Sequence, residues 1–243
     1  MRLTGHGKWR DSRLLAKELP RNAGHDNALV MGQDSVQMVP WNGELFWLWG
    51  DTNLANYPLG NFHVTAATSP ATNLFEPSHG ISFKFFTEPT SPRVKKMVRT
   101  SEPGVVWLFG LVVVRNAVGD EVLVAHGSRH LELGKMVEHG LMVWNPKMEE
   151  FEFATRFSME NKWQHPRGQA VITTPSQNKE LEQPYVYFAE PYATTRVPAR
   201  FESMLDPDAY ESWAWDAEQQ KYRWQKDRPP ETTESEKEWI RTK

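Results

Sequence analysis

The chain has 243 residues, enough for one large β domain or two ordinary ones. With 39% hydrophobic and 24% charged residues it can bury a core unaided; a net charge of −3 leaves no electrostatic footprint for nucleic acid, and the lack of Cys excludes a disulfide scaffold and thiolate metal sites. The compositional excess lies in 11 Trp and 12 Phe, flat side chains that pack well on pleated surfaces.

Residues 1–27 form an N-terminal segment that begins MRLTGHGKWRDSRLLAKELPRN, charged throughout and without the apolar stretch of a secretory signal. No run in the chain approaches the roughly 20 apolar residues of a membrane helix. The expectation is a soluble protein with neither a membrane nor a nucleic-acid partner, its compartment left open.

From Gly32 the sequence GQDSVQMV opens an apolar strand, and the turn Trp41-Asn42-Gly43 leads into ELFWLWGD, Glu44 to Asp51. The stretches HVTAATS (His63 to Ser69) and ISFKFF (Ile81 to Phe86) complete a first repeat over 28–87. The pattern returns at Gly110 with GLVVVRN, the turn Val118-Gly119-Asp120 and EVLVAH, which ends on His126. Glu138-His139 then falls on a third strand, and Trp144-Asn145 precedes Phe151 and Phe153, filling 98–158. A third copy over 165–226 starts at Gly168 with GQAVITT, crosses a polar turn around Pro175 to Glu182, and enters PYVYFAE, closed by Glu190. Here Trp215-Asp216 precedes Tyr222 and Trp224 with the same internal spacing as in the second copy. A helix is predicted around Phe201 to Trp213. Residues 227–243, charged and containing Pro229-Pro230, read as a linker or exposed tail.

Three repeats of four short antiparallel strands predict an all-β chain, a β-propeller built of four-stranded antiparallel blades. A pair of stacked β-sandwiches is the competing architecture. Propellers close with about four to eight blades, so three repeats fall short of a ring, and the missing blades are expected from a longer chain.

Chemistry-bearing residues gather at strand ends. Asp34 lies near the start of the innermost strand of the first repeat, and Asp51 ends its neighbour, so their hairpin brings two carboxylates to one rim. Paired carboxylates are what glycosidic-bond cleavage needs, one protonated as acid and one ionised as base or nucleophile. The plainer role for Asp51 is to cap a turn through Thr52 or Asn53. Glu190 occupies the position equivalent to Asp51 in the third repeat, or pairs with Arg196; Glu138 is a further candidate acid. His126, His139 and His165 read as polar pocket residues rather than metal ligands, and the His126/His130 spacing has no metal-binding meaning on a strand. Arg129, Arg167 and Arg196 suit planar contacts to a carboxylated or hydroxyl-rich substrate, or salt bridges between blades. Trp47 and Trp49 share a face and read as core; Trp41, in the turn, is the candidate for stacking on a sugar ring. No metal and no cofactor is expected from the residues themselves.

The G-x-D start, the strand end WLWGDT, and the following NYPLGNFHVTAATS resemble the first blade of five-bladed propellers related to glycoside hydrolases, in particular their arabinanase-like branch. VEHGLMVWN from Val137, HPRGQA from His165, YFAEPYATTRVPA from Tyr187 and LDPDAYES from Leu205 are similar to stretches of uncharacterised bacterial relatives. The resemblance implies a five-bladed ring with a sugar pocket on its axis, Asp34 and Asp51 as acid/base residues, the acid in many members being a Glu from a later blade, and in some members an axial calcium or other ion. It also implies relatives that are often exported. The expected activity is hydrolysis of a glycosidic bond in a carbohydrate; the alternative is a non-catalytic propeller that binds a glycan or a protein.

Overall fold

The computed structural model describes residues 14–18, 28–54, 57–61, 64–71, 81–166, 168–189 and 192–242. The chain is all-β, with three antiparallel sheets of four or five strands. In the first sheet, β1 (Val30–Trp41) and β2 (Glu44–Leu54) form a long hairpin that keeps one register from Trp41 opposite Glu44 to Gly32 opposite Asn53 and shifts by a bulge before Val30 meets Leu54. Asn42 and Gly43 both take positive φ (49° and 76°), the two-residue turn whose twist matches that of the strands it joins. β3 (Tyr57–Asn61) pairs with the far end of β2, and β4 (Thr65–Pro70) pairs with the rest of it. The outermost strand is shorter than expected. Only Lys84–Phe85 (β5) pairs with β4, and Phe83 instead packs edge-on against Trp47 and Trp49.

The second sheet is a meander of β6 (Val105–Arg115), β7 (Glu121–Glu132), β8 (Lys135–Asn145) and β9 (Glu150–Arg156). Its turns are held by asparagines. Asn116 Oδ1 accepts from the Val118 and Asp120 amides, and Asn145 Oδ1 from those of Lys147 and Met148. The third sheet runs β10 (Gln169–Thr173), β11 (Tyr185–Ala189), β12 (Ala193–Pro198), β13 (Glu211–Asp216) and β14 (Lys221–Gln225), each paired with the next. Asp216 repeats the role of Asn145, accepting from the Glu218 and Gln219 amides.

The helix expected over Phe201 to Trp213 is a single turn, Phe201–Leu205, followed by a 3-10 turn at Pro207–Ala209. Asp206 ends the first turn and caps the second, accepting from the Asp208 amide, and Pro207 restarts the chain. Trp213 belongs to β13, opposite Trp224. The tail is not featureless either: Thr233–Thr242 is helical. Among the described residues no helix is long and apolar enough to cross a membrane.

The chain divides into two compact units. The first comprises 1–108, 130–133 and 144–152, the second 109–129, 134–143 and 153–243. The first unit buries Phe46 and Leu48 completely, and Trp41, Phe86, Trp144 and Phe151 surround the Phe46 ring. Beside that core, Lys95 Nζ reaches the buried Glu150 carboxylate at 2.9 Å, and Arg99 Nε meets the same oxygen at 2.6 Å. The second unit has its own core, which includes Val112, Val124, Leu141, Val186, Phe188 and Tyr210.

Candidate active site

The hairpin register places Asp34 directly opposite Asp51. Opposed residues of an antiparallel pair share a face with Cα atoms about 4.5–5.5 Å apart, so the two carboxylates are neighbours by construction. Asp34 is exposed and Asp51 half-buried. Between Asp34 and the strand that follows it, Ser35 takes φ 59°, a left-handed conformation uncommon for a residue with a side chain. Its amide turns back to donate to Asp34 Oδ1 at 2.6 Å. The Ser35 Cβ would lie 3.0 Å from any Cβ placed at position 50, which accounts for the glycine of the WLWGDT strand end. On the other face of β2, Thr52 Oγ1 and Thr65 Oγ1 share a hydrogen bond of 2.6 Å, and Gln33 Nε2 donates to Thr65 at 2.9 Å. These contacts pin the strand on both sides of Asp51.

The Asp51 carboxyl group is held above the usual aspartate range. Burial is the main cause, the charge of Asp34 adds to it, and a hydrogen bond from the Trp107 indole works in the opposite direction. Asp34 and Asp51 therefore have different surroundings, one wet and one partly desolvated and sharing a proton's worth of repulsion with its neighbour. Two such groups are suited to divide acid and base roles.

Other expected site residues lie elsewhere. Glu138 sits in the second unit between Arg129, whose Nε is 2.8 Å away, and Arg156. Burial pushes the Glu138 carboxyl up, but hydrogen bonds and charge from the two guanidinium groups outweigh it and leave it below the ordinary range. It is an anion fixed in place, not a proton donor at neutral pH. Arg196 pairs with Glu211 at 2.6 Å and lies over the rings of Tyr185 and Trp224, so its planar cation is engaged within its own sheet. Trp41 is the last residue of β1; it is half-buried, and its ring meets Phe46 and Trp144 edge to face. Glu190 and Arg167 lie outside the described residues.

His126 was expected to end a strand at a rim; β7 instead runs on to Glu132 and His126 is fully buried in its middle. Tyr210 Oη donates to the Met204 carbonyl at 3.0 Å, and a phenol has a single proton. His126 Nε2, at 2.7 Å from Tyr210 Oη, is therefore the donor, and its Nδ1 has no hydrogen-bond partner among the described residues. Burial, with a smaller contribution from His139, lowers His126 to about 3. His139 likewise donates Nε2–H to the Ser158 carbonyl at 2.9 Å, and His165 lies 5.9 Å from it and 6.5 Å from His126, ring to ring. Among the described residues no group of three or more His, Asp or Glu side chains is arranged to hold a metal ion.

A cleft of about 490 Å³ in the first unit is lined by Val64, Lys96, Arg99, Thr100 and Val106 among others, and by neither Asp34 nor Asp51. Trp107, Ser35 and Tyr210 are not among the residues the sequence pattern singles out. Trp107 carried a legible hint, a lone indole in the otherwise aliphatic start of β6; Ser35 and Tyr210 carried none.

No protein-family model matches the chain, and a search of curated proteins found no match. Among solved structures the chain is similar to a "putative hydrolase" from Bacteroides ovatus ATCC 8483, with 11% identity and a TM-score of 0.46 over 90% of this chain. It spans 58% of the length of that protein.

Proposed function

We propose that the three sheets are blades of a glycoside-hydrolase-like β-propeller and that Asp34 and Asp51 cleave a glycosidic bond. The observation that carries this reading is the pairing of an exposed Asp34 with an Asp51 whose proton is held more tightly than usual. In the proposed reaction the Asp51 carboxyl protonates the departing glycosidic oxygen. Asp34 either attacks the anomeric carbon or takes a proton from the water that does, and water finally supplies the hydroxyl to one product and a proton to the other. The resemblance of the β1–β2 hairpin to arabinanase-like propellers makes a carbohydrate the substrate class.

The test is reducing-sugar release from a panel of aryl glycosides and polysaccharides that includes arabinan. Wild-type protein is expected to cleave at least one member, with Asp34→Asn and Asp51→Asn each slower by about 100-fold or more. No cleavage by wild type, or an unaffected Asp34→Asn, removes the enzyme reading. One observation favours a non-catalytic glycan binder in that event. Trp213 and Tyr222 are each more than a third exposed, with ring planes within 14° of each other, a surface on which a sugar ring can stack. Retention on the same polysaccharides without cleavage, lost in Trp213→Ala, identifies that role.

A further inference from the structure

The cleft of about 490 Å³ in the first unit falls within the roughly 300–1,000 Å³ of small-molecule sites, and the paired aspartates take no part in its walls. One wall is the segment 96–104, which is tied down at both ends. The Met97 amide donates to the Val64 carbonyl at 2.9 Å, and the Met97 carbonyl accepts from the Phe151 amide at 2.7 Å. At the far end Gly104 takes φ 109° and lies so close to β7 that its place leaves no room for a Cβ against the His130 carbonyl oxygen. The cleft is thus part of the framework.

Its lining combines three kinds of surface. Val64 and Val106, both buried, give it an apolar floor. Lys96 and Arg99 give it positive charge. The exposed Lys96 pairs with no carboxylate among the described residues. Arg99 is more than half exposed, and its Nε meets Glu150 at 2.6 Å. That carboxylate already has Lys95 at 2.9 Å, while Glu88 stands off at 4.0 Å from the Arg99 guanidinium. Thr100, Ser101 and Glu102 supply hydrogen-bonding groups. Thr100 Oγ1 accepts from the Glu102 amide at 3.0 Å, which leaves its own proton to donate.

A bare anion would be repelled by Glu102. A ligand that carries a carboxylate together with hydroxyl groups makes use of it. The carboxylate goes to Lys96 and Arg99, hydroxyl protons go to Glu102, and C–H groups lie on the valines. We propose that this cleft binds an acidic sugar, a uronic acid either free or as a unit of a glycan chain. The inference goes beyond the roles given to Asp34 and Asp51 and holds whether or not that pair cleaves a bond.

The test is an NMR titration of the full chain that follows the Thr100, Ser101 and Gly104 amides. The probes are galacturonate and glucuronate, their neutral counterparts galactose and glucose, and inorganic phosphate. At least one uronate is expected to move these signals with a Kd about tenfold or more below that of its neutral counterpart, the worth of one charge-assisted contact, and phosphate is expected to bind more weakly. Lys96→Gln, at an exposed position outside the Lys95–Glu150 pair, is expected to lose about tenfold for the uronate and nothing for the neutral sugar. Amides that no uronate moves, a uronate bound no better than its neutral counterpart, or phosphate bound as tightly as the uronate each overturn the proposal. Those comparisons use wild-type protein and need no variant to fold. A uronate trimer bound at least as tightly as the monomer assigns the cleft to a glycan chain, and a trimer that fails to bind assigns it to the free acid.

Discussion

A carboxyl group that folding drives towards its protonated form costs the molecule stability whenever the solution removes that proton. Asp51 is such a group, raised by burial first and by Asp34 second. The folded state binds more protons than the unfolded one between the ordinary aspartate value and the raised one, so this contribution to stability is present in acid and lost as pH rises through that window. Asp51→Asn keeps the shape and deletes the titration. It is expected to melt higher than wild type near neutrality, with the gain vanishing below about pH 4. A melting difference that stays constant across the range would show that repulsion and desolvation at Asp51 do not matter. The pairing with Asp34 was legible in the sequence because Asn42-Gly43 dictates a two-residue turn, and counting back from it fixes the register. Ser35 was not legible, and Trp107 offered no more than the hint of a lone indole. One is a left-handed backbone at a residue that gives no sign of it, and the other depends on a contact between positions more than fifty residues apart.

At the level of elements, side-chain volume at the crossing points decides what can pair with what. Gly140 in β8 faces the backbone of β9 so closely that a Cβ there would stand 2.1 Å from the Thr155 carbonyl oxygen and 2.8 Å from the Arg156 Cα. Backbone cannot swing aside as a side-chain tip can. Gly140→Ala is expected to cost about 1–3 kcal/mol or more by forcing the two strands apart, read as a lower urea midpoint. Gly119→Ala meets no atom within 4 Å and carries only the penalty of φ 93°, roughly 1 kcal/mol. Equal midpoints for the two variants would mean that β8 and β9 yield more readily than their packing implies. The same pairing logic explains the misplaced helix. The segment from Glu211 has helix-forming neighbours, but Ser212 and Ala214 alternate with Trp213 and Trp215, and the cross-strand pairs Trp213–Trp224 and Trp215–Tyr222 capture it for the sheet. Propensity within a dozen residues could not reveal those partners.

Over the whole molecule, the all-β character was readable from alternating apolar strands and turn residues, and three antiparallel sheets form. The division into two compact units was not readable. Residues 144–152 count with the first unit, where Trp144 and Phe151 pack on Phe46, although their strands β8 and β9 belong to the second sheet, and nothing in the spacing of the aromatics announces that choice. The units differ in how they meet acid. In the second, His126 is held neutral down to about 3 and His139 is also lowered, both chiefly by burial. The unfolded chain takes up protons there that the folded unit refuses, so stability is full above the ordinary histidine value and drains as pH falls below it. Hydrogen-exchange protection in β7 and β11 is therefore expected to weaken between about pH 7 and pH 5 while that of β2 holds, and His126→Phe is expected to flatten the response. Uniform loss across both units would refute the assignment to histidine.

The aromatic packing has an optical consequence. Trp47 and Trp49 lie nearly parallel at 6.3 Å and Trp41 meets Trp144 at 6.2 Å, all in the first unit, while Trp213 and Trp224 stand 5.2 Å apart in the second. Indoles at such separations couple electronically, and the coupled bands appear in circular dichroism on top of the backbone signal. Each unit thus carries its own built-in coupled indoles, two pairs in the first and one in the second, and the collapse of either can be watched without a label or a cysteine being introduced.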